Sequence, residues 1–188
     1  MKNRTHLYTL SIFTEDRIGL LNRVTIIFTR RHINIESITA SESEVSGIYR
    51  YTIVVNTTAE VVDKLVKQID KQVEVFKAFC HQESEIISRE VALYKVSSTA
   101  LNENGLFSAI VNEHHAKILS ISADFIVVEK TGDALEIKWL FRALERFGVL
   151  EFAGSGRIAM TKPMKTLTTY LKEIENENNS TIKHFNKN

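Results

Sequence analysis

Leu7-Tyr8-Thr9-Leu10-Ser11 returns as Leu93-Tyr94-Lys95-Val96-Ser97, 86 positions further along the chain. The echo continues towards the C-terminus of each copy. Gly19-Leu20-Leu21 is answered by Gly105-Leu106-Phe107, again at 86, and Ser37-Ile38-Thr39-Ala40 by Ser120-Ile121-Ser122-Ala123 at 83. Three weak matches in the same order at nearly one spacing mark a duplicated unit, because self-similarity at a fixed period is the signature of repeated architecture. The chain of 188 residues is long enough for two such units with a core each.

The hydrophobic pattern inside each copy says what the unit is. From His6 to Phe13 apolar residues alternate, with Tyr8, Leu10 and Ile12 on one face, as in a half-buried strand. Leu20, Val24, Ile27 and Phe28 then recur at helical spacing. Ile33 to Ala40 reverts to a strand, the polar stretch from Ser41 to Gly47 reads as a hairpin loop, and Tyr49, Tyr51, Ile53 and Val55 alternate along the next strand. Thr57-Thr58-Ala59-Glu60 has capping-box spacing, with Thr57 as cap, ahead of a helix carrying Val62, Leu65, Val66 and Ile69. Val73 to Phe79 closes the unit. Strand, helix, strand, strand, helix, strand is the ferredoxin-like order.

The second copy follows the same order. Val91 to Ser97 is a strand, and Asn104 caps a helix bearing Leu106, Phe107, Ile110 and Val111. Lys117 to Ala123 and Phe125 to Glu129 are strands, Lys130 to Asp133 is a turn, and Leu135 to Phe147 is a helix stopped by Gly148. Leu150 to Met160 is a last strand, bulged at Gly154 or Gly156. The expected fold class is therefore α+β, two tandem βαββαβ domains. The expected boundaries are 1–82 and 83–163, followed by a polar tail, 164–188, rich in Lys, Asn, Glu and Thr. Thr166 to Ile174 has the spacing of one short amphipathic helix, and the rest has the composition of a disordered segment.

Composition narrows the function. Lys and Arg number 24 against 23 Asp and Glu, so no broad field draws the chain to nucleic acid or to an anionic membrane. No apolar run reaches the roughly 18–20 residues of a bilayer span, and the N-terminus lacks a signal-peptide layout. A single cysteine, Cys80, excludes an internal disulfide and fits a reducing, cytoplasmic setting.

Catalytic constellations are missing. Cys80 and His81 are neighbours on a strand and point to opposite faces, so they form no thiolate–imidazole pair. His114 and His115 diverge by about 100° on a helix, whereas zinc chelation needs i and i+3 or i+4, which leaves one packed and one solvated histidine. There is no Gly-rich phosphate loop, nucleophile elbow or CxxC motif. A stand-alone isomerase or lyase of this fold needs an acid–base pair, and none is evident. Tyr49 and Tyr51 with Arg50 lack the basic, aromatic-interleaved pattern of an RNA platform and read as packing residues.

The strongest local feature is Glu15-Asp16-Arg17-Ile18-Gly19-Leu20-Leu21, between the first strand and the first helix. A helix N-terminus presents N–H groups without intrahelical partners and about half a positive charge. Glycine there lets a ligand approach the backbone, and Asp16 offers an acceptor to an ammonium group. Such a turn suits a zwitterion, a free amino acid. By itself the motif reads first as an acidic cap with a packing glycine and second as a ligand notch.

Asp16-Arg17-Ile18-Gly19-Leu20-Leu21 with Asn34-Ile35-Glu36-Ser37-Ile38 resembles an ACT domain, a small-molecule sensor of this strand order. With Leu21-Asn22-Arg23-Val24, Phe28 through Thr39, and Arg89 through Val96 added, residues 4–162 resemble the small regulatory subunits of acetolactate synthase (acetohydroxyacid synthase). The resemblance implies a non-catalytic, cytoplasmic chain. It implies that the chain activates a large catalytic subunit and confers feedback inhibition by a branched-chain amino acid, usually valine, in valine, leucine and isoleucine biosynthesis. It assigns thiamine diphosphate, magnesium and FAD to that partner and no cofactor or metal to this chain. It implies a homodimer through the ACT domains. There Asp16, Ile18, Gly19 and Leu20 of one protomer meet Asn34 and Ile35 of the other around the effector. Many family members carry asparagine where Asp16 stands. A carboxylate only accepts hydrogen bonds, so Asp16 favours the ammonium and repels the carboxylate of the effector, with Arg17 beside it as counter-charge. An ACT-type sensor of another enzyme is the alternative reading.

Overall fold

The computed structural model describes residues 4–162, 167–169, 171 and 172. The elements run β1 (His6–Glu15), α1 (Leu20–Arg30), β2 (Ile35–Glu42), β3 (Ile48–Thr57), α2 (Ala59–Ile69) and β4 (Val75–His81). Then follow β5 (Ile86–Ser97), α3 (Leu106–Glu113), β6 (Lys117–Ile121), β7 (Phe125–Gly132), α4 (Ala134–Leu144), β8 (Val149–Gly154) and β9 (Ile158–Thr161). One sheet has the order β2-β3-β1-β4 and the other β6-β7-β5-β8, with antiparallel neighbours. The α+β fold with two βαββαβ layouts is as the sequence pattern requires. The chain divides into two compact units, one of residues up to Ile87 together with those from Met160, the other Ser88–Ala159.

In the first unit, Tyr8, Leu10 and Ile12 of β1 face Val24, Ile27 and Phe28 of α1 and Val62, Leu65 and Ile69 of α2. All are buried, and Leu10, Ile12, Val24, Leu65 and Ile69 have no exposed surface. Tyr51 belongs to the same core and Tyr49 packs against it, so the tyrosines are packing residues. Arg50, on the opposite face of β3, donates from Nη2 to Ser11 Oγ at 3.2 Å and lies 5.4 Å over the Phe13 ring. Beside it Phe13 and Ile48 form a second small cluster that Leu167 and Leu171 complete. Leu167, one helical turn before Leu171, is only 5% exposed. The described part of the C-terminal amphipathic segment is thus helical and packed. The remainder of that expected helix and of the tail lies outside the described residues.

In the second unit, Tyr94, Val96, Phe107, Val111, Ile126, Val128, Leu140 and Leu144 repeat the arrangement. Tyr94 donates its buried hydroxyl to the Ile137 carbonyl at 2.8 Å, and burial pushes that phenol up to about 12. The duplication extends to irregularities. Both edge strands β2 and β6 slip register at the same place, between Ile35 and Ser37 and between Ile118 and Ser120. Both first helices end at a histidine in the left-handed region, His32 (φ 54°) and His115 (φ 51°).

Several boundaries differ from expectation. The α2 cap is Thr58, whose hydroxyl accepts from Val61 N at 3.4 Å, because Thr57 is still paired in β3. The α3 cap is Gly105, not Asn104; it sits in the left-handed region and no side chain caps the helix. β4 is two residues later at each end. The last strand is interrupted between Gly154 and Ile158. Lys130 is not in a turn: β7 continues to Gly132, and the turn into α4 is made by Asp133, which accepts from Leu135 N and Glu136 N at 2.9 Å while Glu136 returns a bond to Asp133 N. Lys130 is buried because its ammonium donates at 2.7 Å to the His114 carbonyl at the C-terminal end of α3, where cations are stabilised.

Candidate functional site

β1 ends at Glu15 and α1 begins at Leu20, so four residues make the turn. Asp16 N donates to the Gly47 carbonyl at 3.2 Å, which ties the turn to the β2–β3 hairpin. Leu20 N donates to the Arg17 carbonyl at 3.2 Å and closes it. Gly19 is the helix cap at φ 82°, ψ −3°, and Asp16 does not cap the helix. A Cβ at Gly19 would meet nothing within 4 Å, so the glycine is required by its dihedral and not by crowding, and space is open beside it. The N–H groups of Leu21 and Asn22 lie in the first turn, where no intrahelical acceptor exists.

The side chains around the turn divide sharply. Leu20 is buried and contributes only its backbone, whereas Ile18 is fully exposed with no apolar cover. Arg17 Nε holds Glu15 at 3.0 Å. Arg23 pairs with Glu74, whose carboxyl is held below its ordinary range first by its own backbone N–H, against some desolvation, with Arg23 and Arg17 assisting. Asp16 is exposed and makes no ion pair among the described residues. The turn therefore offers backbone donors, one uncommitted carboxylate and one exposed aliphatic side chain.

Asn34 and Ile35 lie elsewhere in the same chain. Glu15 pairs with Ile48 at one end of β3, and Ile35 pairs with Val55 near its other end. These partners are seven positions apart along the strand, roughly 23 Å at about 3.3 Å per residue. Asn34 is exposed, with Nδ2 3.5 Å from Glu36 Oε1, and Ile35 is half-buried against the first core. One protomer thus brings Asp16, Ile18, Gly19 and Leu20 together and keeps Asn34 and Ile35 apart from them. A site using both groups requires two copies.

The second unit carries the same turn. Gly105 caps α3 at φ 82°, ψ −1°, and an open cavity of about 590 Å³ there is lined by Asn102, Glu103, Asn104, Gly105, Leu106 and Ala109. The repeat offset that pairs Gly19 with Gly105 was the signal that could have located it.

Cys80 is half-buried against the first core, and desolvation, with Glu85 and Asp63 nearby, pushes its thiol up to about 11. That disfavours the thiolate a nucleophile needs. His81 stacks on Phe79 at 6.1 Å between ring centroids, and burial, partly offset by Glu85, holds its pKa below the ordinary value. His114 is half-buried and His115 exposed, but neither is on a helix: α3 ends at Glu113, His114 follows as its C-cap and His115 is in the left-handed region. Among the described residues no group of three or more His, Cys, Asp or Glu could hold a metal ion, and no helix is long and apolar enough to cross a membrane.

Residues 10–77 match a family described as an AHAS small subunit-like ACT domain, and residues 89–163 match one described as the small subunit of acetolactate synthase. The acetolactate synthase small subunit of Mycolicibacterium smegmatis is 35% identical over 162 residues, covering 86% of this chain and 95% of that one. The chain belongs to the acetolactate synthase small subunits. The Bacillus subtilis small subunit is 36% identical over 154 residues, covering 81% of this chain and 89% of that one. The crystal structure of the Thermotoga maritima small subunit superposes with a TM-score of 0.76 at 28% identity, covering 85% of this chain and 99% of that one. As a small subunit the chain is a regulatory, non-catalytic partner of the catalytic subunit of acetolactate synthase. Its first unit is the family's ACT domain.

Proposed function

We propose that this small subunit activates the catalytic subunit and makes it sensitive to a branched-chain amino acid, valine first among them. In this reading the protein is a homodimer through its ACT domains. The effector's carboxylate meets the N–H groups at the start of α1, its ammonium faces Asp16, and its aliphatic end lies by Ile18. Asn34 of the second protomer closes the site with an amide that donates and accepts, and Ile35 adds apolar wall. Leu20 serves through its backbone. Thiamine diphosphate, magnesium and FAD, and with them the joining of 2-oxo acids to 2-acetolactate, belong to the catalytic subunit.

The observation that carries the reading is the open, left-handed turn at Gly19 together with the separation of Asn34 from it. A dimer about a twofold axis supplies each turn with the other copy's Asn34 and creates two equivalent sites. A bound effector then fixes how the two chains are oriented, and linkage requires that the catalytic subunit alter effector affinity by the factor that the effector alters its binding, roughly 5–150-fold for about 1–3 kcal/mol.

The test mixes the purified chain with the catalytic subunit and follows acetolactate formation with and without valine. Activation, and inhibition by valine that Gly19→Asp or Asn34→Ala abolishes while activation persists, is the expected result. Loss of activation in these variants with inhibition intact overturns the site.

A further inference from the structure

The second helix of each unit occupies the same place in the fold, and 75 positions separate the two in sequence. The buried residues correspond: Val62 with Ile137, Leu65 with Leu140, Ile69 with Leu144. The outward residues do not. On α2 they are Glu60, Asp63, Lys64 and Lys67, joined as two ion pairs, Lys64 to Glu60 at 2.6 Å and Lys67 to Asp63 at 2.7 Å. This is a self-neutralised face that water solvates well. On α4 the same four positions hold Leu135, Lys138, Trp139 and Arg142. The pair Glu60–Lys64 has become the apolar pair Leu135–Trp139, and Asp63–Lys67 has become two cations.

Leu135 is 58% exposed and Trp139 54%. Lys138 and Arg142 are exposed, and neither makes an ion pair among the described residues. Glu136 is turned back to the start of its helix, where it bonds Asp133 N. One turn beyond α4, Arg146 adds another exposed cation, stacked 5.5 Å over Phe147, with Glu145 beside it. Tryptophan and arginine are among the residues most enriched where protein interfaces concentrate their binding energy, and Trp139 with Arg142 three residues on supplies both on one helix face.

Charge selects the occupant. A second copy laid antiparallel on this face would set Lys138 and Arg142 against each other, and like charges in contact are a device against pairing. A membrane or a nucleic acid needs a wider basic field than a chain of net charge +1 provides. The complementary surface is a protein patch with carboxylates around an apolar recess. We infer that the outward face of α4 is a docking surface for the catalytic subunit, with Trp139 inserted in such a recess and Lys138 and Arg142 paired to its rim carboxylates. This rests on the reading that the small subunit activates the catalytic subunit and assigns one of the surfaces by which it does so.

The experiment titrates the catalytic subunit with full-length small subunit and records the concentration giving half-maximal activation, the activation at saturation and the salt dependence. Trp139→Ala should raise the half-maximal concentration by about 30-fold or more, the loss that marks a hot-spot residue, and Trp139→Phe should raise it less. Lys138→Glu with Arg142→Glu should raise it as well. Lys64→Glu with Lys67→Glu on α2 should leave it unchanged. All these residues are exposed, and unchanged circular dichroism and thermal midpoints verify folding. An unchanged half-maximal concentration in both α4 variants, with the wild type still activating, overturns the docking face and leaves the regulatory reading standing. Absence of any association or activation by the wild type overturns both. If sedimentation of the small subunit alone shows that Trp139→Ala lowers its own oligomeric mass, the face belongs to a second copy and the inference also falls.

Discussion

The two units are copies in backbone and strangers in surface. Gly19 and Gly105 hold the same dihedrals at the same turn, and the edge strands slip register at the same residue. Yet α2 presents paired charges to solvent where α4 presents Leu135, Trp139 and unpaired cations. The first edge strand carries Glu36 and Glu42, whereas every residue of β6, including Ile118, Leu119 and Ile121, is exposed. Duplication preserved what folding needs, a core and the dihedrals that close it. Divergence fell on the outward positions, where a substitution costs the fold little.

The most severe way to challenge this equivalence is to open the two cores. Leu65 and Leu140 occupy matching positions with no exposed surface. Leu65→Ala and Leu140→Ala should each lower stability by about 2–5 kcal/mol. Urea unfolding followed by amide hydrogen exchange should locate each loss in its own unit; a loss spread evenly over both would mean that the units unfold as one.

The glycines give a smaller effect and a sharper contrast. Gly19→Ala and Gly105→Ala meet no neighbouring atom, so each should cost only the left-handed strain of about 1–2 kcal/mol. The stability losses should match, while only Gly19→Ala should change the response to valine. An equal change from Gly105→Ala would show that both turns bind effector.

Smaller again are the caps of the second helices. Asp133→Ala removes two 2.9 Å bonds and one side of a capping box and should cost about 1 kcal/mol. Thr58→Ala loses one 3.4 Å bond and should cost less, read from thermal midpoints.

The last contrast is in pH and belongs to the first unit alone. His81 titrates below its ordinary 6.5 in the fold because burial disfavours its cation. As pH falls through about 6.5 the unfolded chain takes up the proton first, so stability declines until the folded-state value is passed and is constant above the ordinary value. His81→Gln should flatten that segment of the stability–pH profile, and exchange data should place the slope in the first unit. A slope that survives the substitution assigns it to another group.

Alternation in β1 and β5, helical spacing in α1 to α4 and the offset of 86 were enough to read the element order, because burial on one face imposes a period on any chain that folds. The turn at Gly19 was legible for a different, local reason: only a residue without a Cβ adopts its dihedral at no cost. The caps were misjudged by one residue at Thr58 and Gly105. Which residue leaves the strand or enters the left-handed region depends on pairing with β1 or on the closing turn, and local spacing does not reveal that. Lys130 had the composition of a loop and became a core residue because an unfilled helix carbonyl awaited it 16 positions away in sequence.

By itself, then, the sequence specified the repeated fold, its apolar faces and the glycines at its turns, all of which are local or periodic properties. The tertiary structure alone decided that Asn34 stands at the far end of the sheet from Gly19, that Leu167 covers Phe13 and Ile48, and that Trp139 faces solvent between uncompensated cations. These are distances and exposures between residues remote along the chain, fixed only when strands choose partners and cores exclude water.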